Sequence, residues 1–334
     1  MSADLLSLMN YFDRQGIPEA VLKVKPREAE IQDSMLQNTD SDHPDIQDEE
    51  DISETTSDDK FDEALECLLS YSLVSIRQDK GTFVMHGLVQ LATRKWLEMQ
   101  GTQERWKAQF CMKLNAVFPN GDYENWGLCE ILFPHAKSAE RQRPEDLLVQ
   151  DWADILRKAA WYTWAKRDYR EAERMCEKSV GALRNALGEE DGETLYSLGL
   201  LASIYGDQGR WTEAEKIEVQ VVETKKRVLG EEHPSTLISM GNLASRLSTQ
   251  GRWTEAEEID VQITETMKRV LGEEHPDTLT SMHNLTFTMK KQGRKEEAVK
   301  LMTECFQLRE RILGPRHHDT LSSAAALARW SNIN

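Results

Sequence analysis

The stretch GEEHPDTL at 272–279 places Glu273, Glu274, His275 and Asp277 within five residues. An imidazole beside carboxylates is the material of a general acid–base pair or of a metal site, provided the groups converge on one centre. Two other histidines invite the same question: His86 in VMHGLVQ, and His135 close to Cys129. The stretch, however, recurs as GEEDGETL from Gly188, GEEHPSTL from Gly230 and GPRHHDTL from Gly314, a step of 42 residues each time. The counterpart of His275 in the first copy is Asp191, so the would-be ligand set is not kept from copy to copy. Local chain geometry accounts for the same residues: Gly272 closes a helix in a left-handed conformation, Pro276 cannot continue it, Asp277 or Thr278 caps the next, and Leu279 opens its core face. The glutamates and the histidine are then solvated loop residues. Cys129 and His135 carry no ligand spacing and read as structural. No catalytic residue, metal or cofactor is assigned.

The elements follow from the repetition. RDYREAE at Arg167, GRWTEAE at Gly209 and Gly251, and GRKEEAV at Gly293 keep the same 42-residue step. Two motifs sharing one period indicate stacked supersecondary units. Within a unit, Leu237, Met240, Leu243, Ala244 and Leu247 have helical spacing, Gly251 ends that helix and Trp253 packs at the corner. A second helix starts at Thr254, where Thr254 and Glu257 form a capping-box pattern, and carries Ala256, Ile259, Ile263, Met267, Val270 and Leu271 inward. The expected pairs span 152–187, 194–229, 236–271 and 278–313, with a closing helix from about Asp319.

Composition narrows the class. The 334 residues carry 58 Asp and Glu against 41 Lys and Arg, a net charge of −17, which argues against nucleic acid or an anionic membrane as partner. Twelve of the acids fall between Asp40 and Glu63, so 28–60 reads as a disordered acidic insert. Five dispersed cysteines without a CxxC pair fit free thiols in the cytoplasm, and no apolar run reaches the ~20 residues of a membrane span. An amphipathic helix is expected from Met1. Residues 61–100 read as helix, strand 73–77, hairpin turn QDKG, strand 82–85 and a helix 88–99 whose apolar face is Leu88, Leu91, Ala92, Lys95 and Trp96. That is a winged-helix pattern, with 1–27 as its preceding part. Residues 101–150 form a helical connector with a break at FPNG and an interruption or kink at Pro134. The whole is predominantly all-α: a solenoid of helix pairs over 151–334 behind a small α+β segment.

The 42-residue pair with NLA or NLT in its first helix, QGRWTEAE at the turn and LGEEHPDTL at the junction resembles the tetratricopeptide repeats of kinesin light chain. FDEALECLLSYSLVSIRQDKGTFVMHGLVQ resembles the winged-helix segment that follows the nucleotide-binding core (NB-ARC) of fungal NLR-like proteins of the STAND class. The resemblance implies a right-handed superhelix and protein–protein interaction without catalysis, as the sensor or regulatory part of such a protein. VMHGLVQ matches the class's MHD-like motif, whose histidine, here His86, faces the phosphates of bound ADP; Gly87 stands where that motif has aspartate. No GxxxxGK[ST] stretch occurs, so any nucleotide switch would need an NTPase domain upstream or on another chain. A kinesin light chain adaptor would also need a heptad coiled coil, which the first 100 residues lack.

In a superhelix the first helices line the concave face, and recognition falls to residues between their core positions. These are Ile238, Gly241, Asn242, Ser245 and Ser248 in unit three, and Thr280, His283, Asn284, Phe287, Lys290 and Lys291 in unit four. Unit two offers Tyr196, Leu200 and Ser203, and unit one Arg157, Lys158, Trp161 and Trp164. Asn242 and Asn284 match the groove asparagine of tetratricopeptide domains, whose amide clamps the backbone of an extended peptide; the alternative is that each satisfies a neighbouring helix. Lys290, Lys291 and Arg294 would favour an acidic peptide.

Overall fold

The computed structural model describes residues 1–24, 53–77, 81–145 and 149–331. The chain divides into two units, 1–188 and 189–334. Fifteen α-helices and three short strands lie among the described residues, and the expected predominantly helical solenoid class is borne out.

The first unit begins with α1 (Ser2–Met9), β1 (Gln15–Pro18) and α2 (Glu19–Lys23), followed by α3 (Ser53–Ser70), β2 (Val74–Ile76), β3 (Thr82–Met85) and α4 (Gly87–Gln100). The expected two-stranded wing is a three-stranded antiparallel sheet in the order β1-β3-β2. The QGIP strand escapes the pattern because it is four residues long and broken by an irregularity between Gln15 and Ile17, where Gly16 takes φ +83°. Residues 28–52 of the acidic insert and 78–80 of the hairpin turn lie outside the described residues, whereas 53–60 belong to α3.

Helix α4 corrects a second expectation. Leu88, Leu91, Ala92, Lys95 and Trp96 face solvent, and Thr93 and Leu97 are the buried residues. Periodicity identifies a stripe without saying which side has a neighbour. Next come α5 (Gln103–Val117), a 3-10 turn (Tyr123–Asn125) and α6 (Trp126–Glu140), which runs on through Pro134. In the core Tyr11 stacks on Phe110 and Phe12 meets Phe110 edge-on, and Ser138 and Gln142 donate to the Tyr11 carbonyl at 2.8 and 3.2 Å. His135 is fully buried between α6 and β1: its Nδ1 accepts from the Asp13 amide at 3.1 Å and its Nε2 lies 3.2 Å from the Gly16 carbonyl. Burial pushes its pKa down to about 4, so the ring is neutral and Nε2–H donates. The unit closes with the first helix pair, α7 (Val149–Ala165) and α8 (Tyr169–Leu187), where the Ser179 hydroxyl donates to the Ala153 carbonyl at 2.7 Å.

The second unit is a tetratricopeptide-like solenoid: α9 (Gly192–Asp207) with α10 (Trp211–Leu229), α11 (Pro234–Thr249) with α12 (Trp253–Leu271), α13 (Pro276–Lys291) with α14 (Lys295–Leu313), then α15 (His318–Ser331). Ala214, Ala256 and Ala298, each fully buried in the first turn of a second helix, allow close approach. Gly272 is not in the left-handed helical region. It takes φ +94° and ψ 162°, a combination open essentially to glycine alone.

The capping also differs. The helix after GEEHP starts at the proline, and the histidine is its N-cap: Nδ1 of His233 and His275 accepts from the Ser235 and Asp277 amides at 3.2 Å. His317 does the same for Asp319 at 3.2 Å, and Asp191 uses a carboxylate oxygen on Glu193 at 2.9 Å. An imidazole nitrogen and a carboxylate oxygen are interchangeable in that role. The Thr254–Glu257 capping box does not form, because α12 starts one residue earlier behind Arg252. Glu257 instead pairs with Arg294 in the next repeat, as Glu215 does with Arg252. On the opposite edge Arg227–Glu190, Arg269–Glu232 and Arg311–Glu274 form a second series. Every one of these contacts spans 37 residues.

Candidate functional site

On α11 and α13 the residues Leu237, Met240, Leu243 and Leu279, Met282, Leu285 are buried against their partners, which leaves the intervening positions outward. Asn242, Ser245 and Asn284 are exposed, with Ile238 and, on α9, Tyr196 as exposed apolar groups. The side-chain amides of Asn242 and Asn284 make no hydrogen bond among the described residues, so no neighbouring helix uses them. An amide carries both donor and acceptor, which is what an extended backbone requires.

The other end of this face is tied to α15. His283 is half-buried; its Nδ1 lies 3.2 Å from both Arg309 Nη1 and the Ser323 hydroxyl. Burial, reinforced by the Arg309 charge, lowers its pKa to about 4, so the ring is neutral with Nε2–H as its remaining donor. Phe287 stacks edge-on against Trp330 at 5.1 Å, and the Lys290 ammonium sits 4.6 Å over the same indole. Desolvation and then Lys295, Arg329 and Lys291 hold Lys290 below the ordinary lysine range. The basic cluster is thus Lys290, Lys291, Lys295 and Arg329. Arg294, expected among them, is instead paired with Glu297 and Glu257.

In the first unit the corresponding positions of α7 are taken up by packing. Lys158 donates to the Asn115 side chain at 2.8 Å and pairs with Asp154 at 3.0 Å; Arg157 also pairs with Asp154. The loop before α6 lies directly on Trp161: a Cβ at Gly121 would come within 2.7 Å of its Cδ1. His86 is the N-cap of α4, its Nδ1 accepting from the Leu88 amide at 3.2 Å, and Arg14 Nη1 lies 2.9 Å from where a Cβ at Gly87 would begin. Among the described residues no group of three or more His, Cys, Asp or Glu could hold a metal ion.

Sequence reasoning missed a set of buried polar residues. Glu218 on α10 meets Arg246 on α11 at 2.7 Å, a charge contact rather than an aligned hydrogen bond. One repeat later Asp260 occupies the place of Glu218 and accepts from the Thr288 hydroxyl at 2.7 Å. Arg246 needs Gly206, since a Cβ there would lie 1.5 Å from its Nη1. Lys225 and Arg309 alternate with the counterparts Leu183 and Met267, and donate to Ser239 and Ser323 at 2.9 Å. The signal lay in the repeat register, where Glu218 and Asp260 share a column with Cys176 and Met302.

Comparison with known proteins agrees with this architecture. Tetratricopeptide-repeat family models match residues 153–227, 201–265 and 278–319, and a model described as a domain of unknown function (DUF7779) matches 1–102. A nucleotide-binding leucine-rich repeat (NLR)-like protein of Hyaloscypha variabilis is 36% identical over 143 residues. That match covers 42% of this chain but spans only 14% of the relative's length. Among solved structures, a putative kinesin light chain with nearly identical TPR-like repeats from Podosopora anserina is 30% identical with a TM-score of 0.47, covering 52% of this chain and 83% of that one. BtubC (BKLC) from P. vanneervenii has a TM-score of 0.50 at 15% identity, covering 62% of this chain and 82% of its own, a likeness of fold. The chain therefore carries tetratricopeptide repeats and is similar, over 42% of its length, to an NLR-like protein.

Proposed function

We propose that the repeats form a non-catalytic scaffold on which α9, α11 and α13 hold an extended segment of a partner protein. The observation that carries this reading is the pair of exposed asparagines, Asn242 and Asn284, one repeat apart with both amides unused among the described residues. Ser245 extends the polar row, while Tyr196 and Ile238 supply apolar contact at the first turns of their helices. The cluster Lys290, Lys291, Lys295 and Arg329 favours acidic residues at one end of the segment, in a chain whose net charge is −17. His283 and Phe287 form the wall there. Arg157 and Trp161 lie in the first unit, where Asp154 and the Gly121 loop engage them.

In this reading the chain is a cytoplasmic sensor or regulatory part of an NLR-like protein. A second reading, for which the NLR-like relative and its 14% span leave room, makes it the regulatory half of an ADP/ATP-switched STAND protein whose P-loop core lies outside this sequence. The test is selection of extended acidic peptides on the wild-type chain, followed by titration of one selected peptide. Asn242→Ala/Asn284→Ala should weaken it by about tenfold or more, since each lost clamp removes ~0.5–1.5 kcal/mol. Undiminished affinity refutes the site. For the second reading, titration of ADP against the chain before and after adding an NTPase core would decide whether His86 meets phosphate.

A further inference from the structure

Glycine is the poorest helix former after proline, so a glycine inside a helix calls for a reason. Helix α9 has two beyond its first turn. Gly206 has a packing reason, since a Cβ there would lie 1.5 Å from Arg246 Nη1. Gly199 has none: a Cβ built on it meets nothing within 4 Å, and its φ is not positive. The same holds one repeat on, where a Cβ at Gly241 in α11 would make only an ordinary contact, 3.9 Å from Ile263 Cδ1. Both glycines are part-exposed, and they stand 42 residues apart in one column of the register. Gly181 on α8 also faces open space, but its counterparts Glu223, Glu265 and Gln307 are long side chains, so no row forms there.

The row lies on the outward face of the first helices. In α9 Gly199 separates Tyr196 from Ser203, and in α11 Gly241 separates Ile238 from Ser245, each neighbour being one turn away. Tyr196 and Ile238 are 45% and 61% exposed. The glycines are therefore the floor of a trench with an apolar wall and a hydroxyl wall. In α13 the row ends: its third place is His283, half-buried beside Phe287 and held at Nδ1 by Arg309 and Ser323, each at 3.2 Å. Helix α11 is packed by α10, α12 and α13, so its outward face is not open for want of a neighbouring repeat.

We propose, on the reading of this face as a groove for an extended segment, that Gly199 and Gly241 are where the main chain of an acidic partner segment makes its closest approach, lying against α9 and α11 with no side chain between. Packed helices lie ~8–10 Å apart and three residues of extended chain span about 10 Å, so a segment crossing the first helices meets one glycine about every three residues. Asn242 and Asn284, next in sequence to Gly241 and His283, supply the amides for a backbone held that close. Lys290 and Lys291 lie at the His283 end and set the acidic residues of the segment there. The trench selects an extended chain over a helix, because a helix presents side chains to its neighbour and keeps its main chain back.

The probe is a synthetic library of short random peptides closed by a Glu-Glu pair. It is selected on the full chain, and the tightest single sequence is titrated by fluorescence anisotropy. Gly199→Ala/Gly241→Ala should weaken that peptide about tenfold or more, because two methyl groups displace its main chain. The same variant should raise the thermal midpoint by about 2–5 °C, since alanine is the better helix former and fits the space. Affinity and stability then move in opposite directions, which a structural role does not produce. Gly206→Ala, in the same helix, should lower the midpoint. The inference falls if the double glycine variant binds within about twofold of wild type or melts below it. If Asn242→Ala/Asn284→Ala loses binding and the glycine variant does not, the groove stands and the trench falls; if no library peptide binds, both fall. The trench also falls if sedimentation shows self-association abolished by the glycine variant, for then a second copy is the occupant. Binding that appears only after residues 28–52 are removed overturns it too, for then the occupant is the chain's own acidic segment.

Discussion

Asp260 lies on α12 with its carboxylate buried, a hydrogen bond from Thr288 at 2.7 Å and, among the described residues, no cation paired with it. Desolvation, opposed by the Thr288 bond and reinforced by Glu257, moves its pKa from the ordinary 3.8 to about 6. A carboxyl whose pKa is higher in the native than in the unfolded chain weakens the fold once ionised. The native state therefore gains from this group as pH falls from about 6 towards 4 and carries the full cost above 6. That cost is roughly 2–3 kcal/mol at neutral pH. Asp260→Asn keeps an acceptor for Thr288 and removes the charge, so it should stabilise the second unit by up to about that amount at pH 7 and by little at pH 4. Amide exchange of the α12 and α13 backbone, compared at pH 5 and 7 after correction for intrinsic rates, reads the effect locally. The neighbouring repeat suggests a second variant, since there the acid has an arginine, Arg246, which requires Gly206. The counterparts are Thr288 and Ser248. Thr288→Arg alone should therefore destabilise by clash, and Ser248→Gly/Thr288→Arg should recover the loss. If Asp260→Asn is no more stable than wild type at pH 7, or gains equally at both pH values, the account of Asp260 is wrong.

The remaining expectations concern other buried groups. His135 titrates at about 4 in the folded chain against an ordinary 6.5, so stability of the first unit should fall by up to ~3 kcal/mol as pH drops from about 6.5 to 4, and denaturant unfolding of His135→Gln should lose that slope. Gly206→Ala should cost about 1–3 kcal/mol by forcing Arg246 off α9, visible as a lower denaturation midpoint. His275→Asp should be near neutral, because Asp191 caps the same turn, whereas His275→Ala should cost about 1 kcal/mol in thermal melts.

The period, the helix pairs and the outward asparagines could be read from the sequence because repetition sets a register, and the observed helices begin and end within a few residues of it. What escaped has identifiable causes. The QGIP strand is too short to show alternation. The stripe on α4 is real, but a single helix cannot say which face its neighbours take. His275 as N-cap went unseen because imidazole is an uncommon cap, and Pro276 at the first helical position was the available clue. The buried pairs Glu218–Arg246 and Asp260–Thr288 join residues 28 positions apart on different helices, which helical periodicity does not connect.

The two series of Glu–Arg contacts have a consequence for how such a chain can change length. In one series the arginine of each repeat meets a glutamate of the unit before it, and in the other the glutamate of the loop that opens a block meets the arginine that ends the block's second helix, always 37 residues apart. A whole 42-residue block can therefore be duplicated, deleted or exchanged by recombination with its edge charges still matched. The irregular columns, Arg246 with Gly206 and Arg309 with Ser323, do not share this freedom. They fix the order of particular neighbours, so the chain combines interchangeable edges with an interior that remembers its sequence of units.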